Sequence, residues 1–242
     1  MNKVNVLGVN FDNFSLDQFK NKLVTRVDRR MSTFVITANP EIVMLAQKDK
    51  AFMKIINTKA DLVTADGIGI VLAGRMQKTP IKERVTGYDL FVWLLSLANL
   101  RNLKVYLIGA KPEVINAVKK KIDIQYPNIK LVGCEDGYFK DSLNNVATRI
   151  EEKKPDIVFA AIGFPRQEQL LTILREKDLP AIMMGVGGSF DVFSGKTKRA
   201  PIIFQKAHLE WFYRLLKEPT RFKRMLALPH FVVNVEKNKI KK

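Results

Sequence analysis

The chain has 242 residues, 41 Lys and Arg against 24 Asp and Glu, a formal net charge of +17 and 47% hydrophobic residues. That is enough apolar chain for one large α/β domain with an appendage, which excludes intrinsic disorder, and the single cysteine, Cys134, excludes an intramolecular disulfide or a cysteine-held zinc. The longest uncharged run, Leu179–Phe190, is 12 residues, short of the roughly 18 that a membrane-spanning helix needs, so the charge points instead to a polyanionic partner: nucleic acid, an anionic membrane or phosphorylated substrates.

The first residues carry one Lys and then alternate, without the apolar stretch of a signal peptide, and the protein is expected to stay inside the cell. Val4–Val9 reads as a first strand. Ser15 and Gln18 form a capping box that opens a helix through Leu16, Phe19, Leu23 and Val27. Thr33–Ala38 is the next strand, and Asn39-Pro40 after it supplies an N-cap with proline at the first helical position. Further strands are expected at Leu62–Ala65, Lys104–Gly109, Lys130–Cys134, Ile157–Gly163 and Ala181–Gly187, and helices at Gly69–Met76, Tyr88–Leu100, Pro112–Ile122, Ser142–Glu152 and Pro165–Glu176. From Thr33 on, the strands mostly lack strict alternation, as buried parallel strands do. Strand alternating with helix implies a Rossmann-like, doubly wound α/β fold with a mostly parallel sheet.

Composition shifts near Gly195, which divides the chain into a body, 1–195, and a helical appendage, 196–242. The appendage holds 13 Lys and Arg against three Asp and Glu, a net of +10 in 47 residues. It also holds Trp211, Phe212, Tyr213, Phe222, Phe231 and both histidines, His208 and His230. Basic residues interleaved with bulky apolar ones describe an amphipathic helix on a membrane surface or a partner, or a C-terminal core helix with a basic outer face. Pro201, Pro219 and Pro229 are expected to cut it into Ile202–Lys217, Arg221–Leu228 and a last short segment.

Open parallel sheets bind ligands beyond the carboxyl ends of their strands, where helix N-termini present unpaired N–H groups. The polar and glycine residues collect there: Thr37 and Asn39, Asp66-Gly67-Ile68-Gly69, Gly163 to Glu168, and Gly185 to Ser189. Gly67, Gly69 and Gly74 miss the G-x-G-x-x-G spacing of dinucleotide sites, leaving a general phosphate or sugar-nucleotide cradle. Asp66 ends a buried strand, where it can take a proton from an attacking hydroxyl or cap a helix. Thr37 and Gln167 can likewise serve a ligand or only close strand-end and first-turn hydrogen bonds. No D-x-D, H-E-x-x-H, Cys/His set or G-x-S-x-G is present, so neither a metal nor another cofactor is expected, and a serine hydrolase is disfavoured.

At these residues the sequence resembles the WecG/TagA/CpsF family, glycosyltransferase family twenty-six. The matching blocks are Thr37 to Val43, Ala65 to Gly69, Glu83 to Asp89, Gly163 to Glu168, Gly185 to Asp191 and Lys198 to Pro201, with Leu209-Glu210-Trp211 and Arg214. In Glu218-Pro219, Arg221-Phe222 and Arg224 the tail is most similar to the family's wall teichoic acid linkage branch. That resemblance implies inverting transfer of N-acetylmannosamine from UDP-ManNAc to the 4-hydroxyl of GlcNAc on undecaprenyl diphosphate, forming a β-1,4 bond. Asp66 then matches the family's proposed base, with Thr37 and Gln167 beside the sugar or acceptor.

Asn39, Gly187 and Gly188 fall in the matching blocks as substrate contacts. Arg84 is a candidate anion or sugar contact, or a member of a surface ion pair. Arg214, Lys217, Arg221 and Arg224 are spaced 3, 4 and 3, one helix face if the turn survives Pro219, and such a stripe suits the diphosphates of UDP or of the lipid acceptor. The resemblance implies peripheral attachment to the inner face of the cell membrane and homo-oligomers. The alternatives are a relative that uses UDP-ManNAcA or UDP-glucose and, more remotely, a nucleic-acid-binding protein, against which stands the lack of any RNP or zinc-finger signature.

Overall fold

In the computed structural model, which describes residues 3–201, 203–204, 209–217 and 227–240, the first predicted strand is folded in two. β1 (Lys3–Val6) and β2 (Val9–Asp12) pair antiparallel, with Val6 opposite Val9. Leu7 and Gly8 between them have φ of 49° and 86°, the paired positive values of a two-residue hairpin turn whose twist suits its strands. The expected strand Val4–Val9 is thus corrected to a hairpin; an apolar residue at the turn had kept the strand pattern unbroken.

The main sheet has six strands: β3 (Thr33–Ala38), β4 (Leu62–Ala65), β5 (Lys104–Gly109), β6 (Lys130–Glu135), β7 (Ile157–Ala161) and β8 (Ile182–Gly185). All pair in parallel, in the order β4-β3-β8-β7-β5-β6. The edge strand β4 is covered by the hairpin, where buried Asp12 accepts the Val63 N–H at 2.8 Å, so an unpaired edge is not left open. β7 and β8 stop short of their predicted ends, leaving Gly163 and Gly187 in loops.

Helices α1 (Leu16–Asp28), α2 (Pro40–Lys48), α3 (Lys50–Lys54), α4 (Ile68–Met76), α5 (Gly87–Leu100), α6 (Pro112–Gln125), α7 (Leu143–Glu152) and α8 (Arg166–Glu176) connect the strands, with a π-helical turn at Ile55–Lys59 after α3, and α9 (Ser189–Ser194) follows β8. The capping box closes both ways, Ser15 Oγ accepting from the Gln18 N–H and Gln18 Oε1 from the Ser15 N–H. Asn39 Oδ1 accepts the Ile42 N–H at 2.9 Å and starts α2. Side chains along a strand alternate faces. Phe34, Ile36, Val158 and Ala160 therefore join one core with α2, α4, α7 and α8, whereas Val35, Ile157 and Phe159 join another with α1, α5, α6 and α9. This is the doubly wound arrangement expected.

The tail departs from its expected cuts. Helix Ala227–Ile240 runs through Pro229, which sits in its first turn, where a missing N–H removes no intrahelical bond. Phe231 and Val235, four residues apart and buried, pack this helix on α2 and α4. The last segment is therefore a 14-residue core helix and not a short end piece. Of the expected Arg221–Leu228 helix only Ala227 and Leu228 are described, and they open this one. Within the expected Ile202–Lys217 helix, 203–204 are helical and helix Glu210–Lys217 begins after Leu209; 202 and 205–208 lie outside the described residues. Among the described residues no helix is long and apolar enough to cross a membrane.

Candidate active site

The carboxyl ends of β3, β4 and β8 and the start of α5 meet. Val85 N–H donates to Ala65 O at 3.0 Å and Thr64 Oγ1 donates to Val85 O at 3.1 Å, which lays the segment before α5 along the end of β4. The next N–H in reach, that of Gly87, donates to Asp66 Oδ2 at 3.0 Å. Asp66 is half-buried, and this bond places its carboxylate at the N-terminus of α5, while in sequence it immediately precedes Gly67, the cap of α4. Thr37 touches the same glycine: a Cβ on Gly87 would lie 2.8 Å from Thr37 Oγ1. Thr37 Oγ1 in turn donates to Gly185 O at 3.3 Å.

Gly185 carries the contact on to α8. A Cβ there would lie 2.5 Å from Gln167 Nε2, so the Gln167 amide rests on the bare backbone of β8. Gln167 is 4% exposed and Glu168 2%, and Gln167 Nε2 donates to Glu168 Oε1 at 2.8 Å. Burial pushes the Glu168 carboxyl up to about 7 against the hydrogen bond from Gln167, which favours its charged form. Asp66, Thr37 and Gln167 are thus linked through two glycine contacts. Glu168 belongs to the same cluster and was not singled out from sequence. Its only mark there was membership of the Gly163 to Glu168 block, since an acid in a first helical turn is ordinarily a solvated partner of the helix dipole.

Arg84 lies three residues before Gly87. It ion-pairs with Glu210, whose other oxygen is 3.6 Å from Arg199 Nε. Arg199 also donates to Asp89 Oδ1 at 2.8 Å and lies 4.6 Å over the Tyr88 ring, and Thr86 Oγ1 donates to Asp89 Oδ2 at 2.7 Å. Glu210 therefore bridges two arginines and ties helix Glu210–Lys217 to the first turn of α5, the turn that holds Asp66. The tail has three acids, and sequence gave no reason to prefer this one. Arg214 belongs to the same helix; Arg221 and Arg224 lie outside the described residues.

The chain leaves β5 and β7 in opposite directions, through α6 to β6 and through α8 to β8. Such a switch point opens a crevice at the strand ends. Here Gly109 is pressed against Ala161, a Cβ on it falling 2.4 Å from the Ala161 carbonyl carbon, and Gly137 N–H donates to Ala110 O at 2.9 Å. Gly163 and Gly187, with φ of 79° and 46°, border open space beyond β7 and β8, and Gly188 precedes α9. A cleft of about 350 Å³ next to β6 is lined by Asn116, Asp136, Tyr138 and Phe139 among others. Among the described residues no three His, Cys, Asp or Glu side chains gather to hold a metal ion.

The pattern of the "Glycosyl transferase WecG/TagA/CpsF family" matches residues 4–242. An N-acetylglucosaminyldiphosphoundecaprenol N-acetyl-beta-D-mannosaminyltransferase of Bacillus subtilis (strain 168) is 42% identical over 216 residues, 88% of this chain and 84% of that protein. The enzyme of the same name from Bacillus spizizenii is 40% identical over 214 residues, 88% of this chain and 82% of that protein. One from Staphylococcus aureus (strain MW2) is 38% identical over 241 residues, 99% of this chain and 94% of that protein.

Proposed function

The chain belongs to the WecG/TagA/CpsF glycosyltransferase family, and from that premise we propose that it transfers N-acetylmannosamine from UDP-ManNAc to the 4-hydroxyl of GlcNAc on undecaprenyl diphosphate, in teichoic acid linkage-unit synthesis. The names of its relatives support the donor sugar and the lipid-linked acceptor. The observation that carries the chemistry is the Asp66 carboxylate, oriented by the Gly87 N–H at the strand ends.

In the reaction the acceptor oxygen attacks the anomeric carbon on the face opposite UDP. The bond from that carbon to the diphosphate oxygen breaks, and the hydroxyl proton passes to Asp66. The departing diphosphate gains negative charge, which cationic side chains must meet; the tail arginines Arg214, Arg221 and Arg224 are assigned that task. The nucleotide is assigned to the crevice between β5 and β7. At a strand spacing of about 4.8 Å this crevice is roughly 17 Å from β4, a span that an extended sugar nucleotide covers, with its sugar toward Asp66. Thr37, Asn39, Gly187 and Gly188 then border the sugar and diphosphate.

The lipid acceptor is met at a membrane surface. Trp211 and Phe212, 39% and 40% exposed, neighbour each other on helix Glu210–Lys217, in a tail of net charge +10, a composition that favours adsorption to anionic lipid. The test is turnover of UDP-ManNAc, UDP-ManNAcA and UDP-GlcNAc against a lipid-linked GlcNAc diphosphate, with and without EDTA. Metal-independent turnover confined to UDP-ManNAc is expected; preference for another donor would replace the sugar assignment, and turnover with none would remove the reading.

A further inference from the structure

Glu168 has no task in the reaction as described, yet it sits in an expensive place. A buried carboxyl group costs several kcal/mol unless it is paired and fully hydrogen-bonded. Glu168 Oε1 accepts from Gln167 Nε2, but among the described residues Glu168 Oε2 has no hydrogen-bond partner, and neither has Gln167 Oε1. Two buried orphan oxygens on adjacent residues, in a cluster otherwise closed by hydrogen bonds, call for a use.

The geometry around Gln167 supplies one. Its amide is pressed on Gly185, with Nε2 and Cδ 2.5 and 3.0 Å from where a Cβ would stand. The carbonyl of that same glycine receives the Thr37 hydroxyl, and Thr37 touches Gly87, which holds Asp66. A primary amide can turn over and exchange its donor for its acceptor with little change of shape. An ionised carboxylate can only accept, so Glu168 in its charged form selects the orientation with Nε2 toward Oε1 and leaves the Gln167 carbonyl oxygen as the unused acceptor.

We propose that Glu168 is a positioning residue: it fixes the Gln167 amide so that Gln167 Oε1 accepts a hydrogen bond from a hydroxyl or acetamido N–H of the sugar being transferred. The proposal rests on the transferase reading and adds to it the group that sets the polarity of the sugar contact. It also accounts for Gly185, since any side chain there would push the amide off its seat.

The test uses the full chain with UDP-ManNAc and a lipid-linked GlcNAc diphosphate, comparing the unaltered enzyme with E168L, E168Q, Q167A and the double variant Q167A/E168L. E168L is expected to lower kcat about 10-fold or more, because a misplaced substrate contact is expensive in rate, with no fall in Tm, because an incompletely bonded buried acid is removed. E168Q offers Gln167 a donor as well as an acceptor, so it can hold the amide but no longer selects its orientation, and it is expected to restore only part of the rate. In the Q167A background E168L should have no further effect, since residues that act as one unit are not additive. Full kcat in E168L, a loss that follows a fall in Tm, no restoration by E168Q, or additive losses in the double variant would each overturn the proposal. No turnover by the unaltered enzyme would overturn the transferase reading and this inference together, whereas normal turnover by both it and E168L would overturn the inference alone.

Discussion

The backbone N–H of Gly87 donates to Asp66 Oδ2 at 3.0 Å, although the two residues are 21 apart in sequence. The bond ties the only carboxylate among the assigned catalytic residues to the first turn of a 14-residue helix, and so to the core beneath it. Replacing Asp66 therefore separates chemistry from fold. D66N keeps an oxygen for the Gly87 N–H but no basicity. It should retain its Tm and lose turnover by about 10²-fold or more, the usual contribution of a general base. Initial rates of UDP release beside a melting curve measure both; near-normal turnover would take Asp66 out of the mechanism.

Gly87 has a second reason to be glycine. A methyl group there would stand 2.8 Å from Thr37 Oγ1 and 3.2 Å from Thr37 Cβ, so G87A forces β3 and α5 apart where they carry Thr37 and Asp66. Overpacking of this kind costs typically 1–3 kcal/mol, about 2 kcal/mol here. Adding T37A removes the nearest atom and should regain part of that stability without regaining rate. Denaturant titration of G87A and G87A/T37A checks it; equal stability of the two would mean that the contact gives way freely.

Much of this site was legible because parallel sheets impose it. Such sheets gather polar residues beyond their strand ends, and Thr37, Asp66 and Gln167 were singled out on that ground, each with a structural alternative in strand-end hydrogen bonding or helix capping. Glu168 was not, since its burial comes from α8 docking on the sheet, a tertiary event that leaves no periodic trace. Glu210 was missed for a similar reason: its partner Arg84 is 126 residues away, and a tail with 13 basic residues offers no unique pairing. In the tail, Pro229 was read as a break because local rules see only the lost N–H, whereas the position within the helix decides whether that N–H had a partner to lose.

The Arg84–Glu210 pair can be tested as a latch. Both side chains are 15% exposed, so the pair is shielded more than a surface bridge, and a coupling of about 1 kcal/mol is expected at the upper end of such pairs. E210A should loosen helix Glu210–Lys217 while the body stays folded, which hydrogen exchange resolved along the chain would register as faster exchange in 209–217. The charge-swapped pair R84E/E210R should recover part of the protection. Unchanged exchange in E210A would show that packing alone holds this helix.

Glu168 also gives the fold a pH dependence of unusual sign. Burial raises its carboxyl from 4.5 to about 7, so the folded protein keeps a proton that the unfolded chain releases between those values. The resulting stabilisation is complete below about pH 4.5 and is lost as pH rises through about 7, amounting to about 3 kcal/mol over the whole window. E168Q cannot titrate and should lack this slope. Urea denaturation of both proteins on either side of the window should show E168Q gaining about 3 kcal/mol relative to the unaltered protein toward the alkaline side; parallel curves would mean that Glu168 titrates normally.

The last test concerns where the folded unit ends. Phe231 is among the largest fully buried side chains, with Val235 one turn further on, and both face α2 and α4. Leu228 and Phe231 approach Gly69, 3.8 and 3.9 Å from where its Cβ would be, so this helix covers the loop that carries Asp66 into α4. Truncating a buried phenylalanine typically removes 3–5 kcal/mol, about 4 kcal/mol here, a large part of the 5–15 kcal/mol that holds an ordinary domain together. F231A should therefore lower the denaturation midpoint of the whole body, whereas alanine at the exposed Trp211 should leave stability nearly unchanged and weaken binding to anionic vesicles. If F231A melted like the unaltered protein, the C-terminal helix would be an accessory laid on the body; a matching loss would make it part of the core that positions the site.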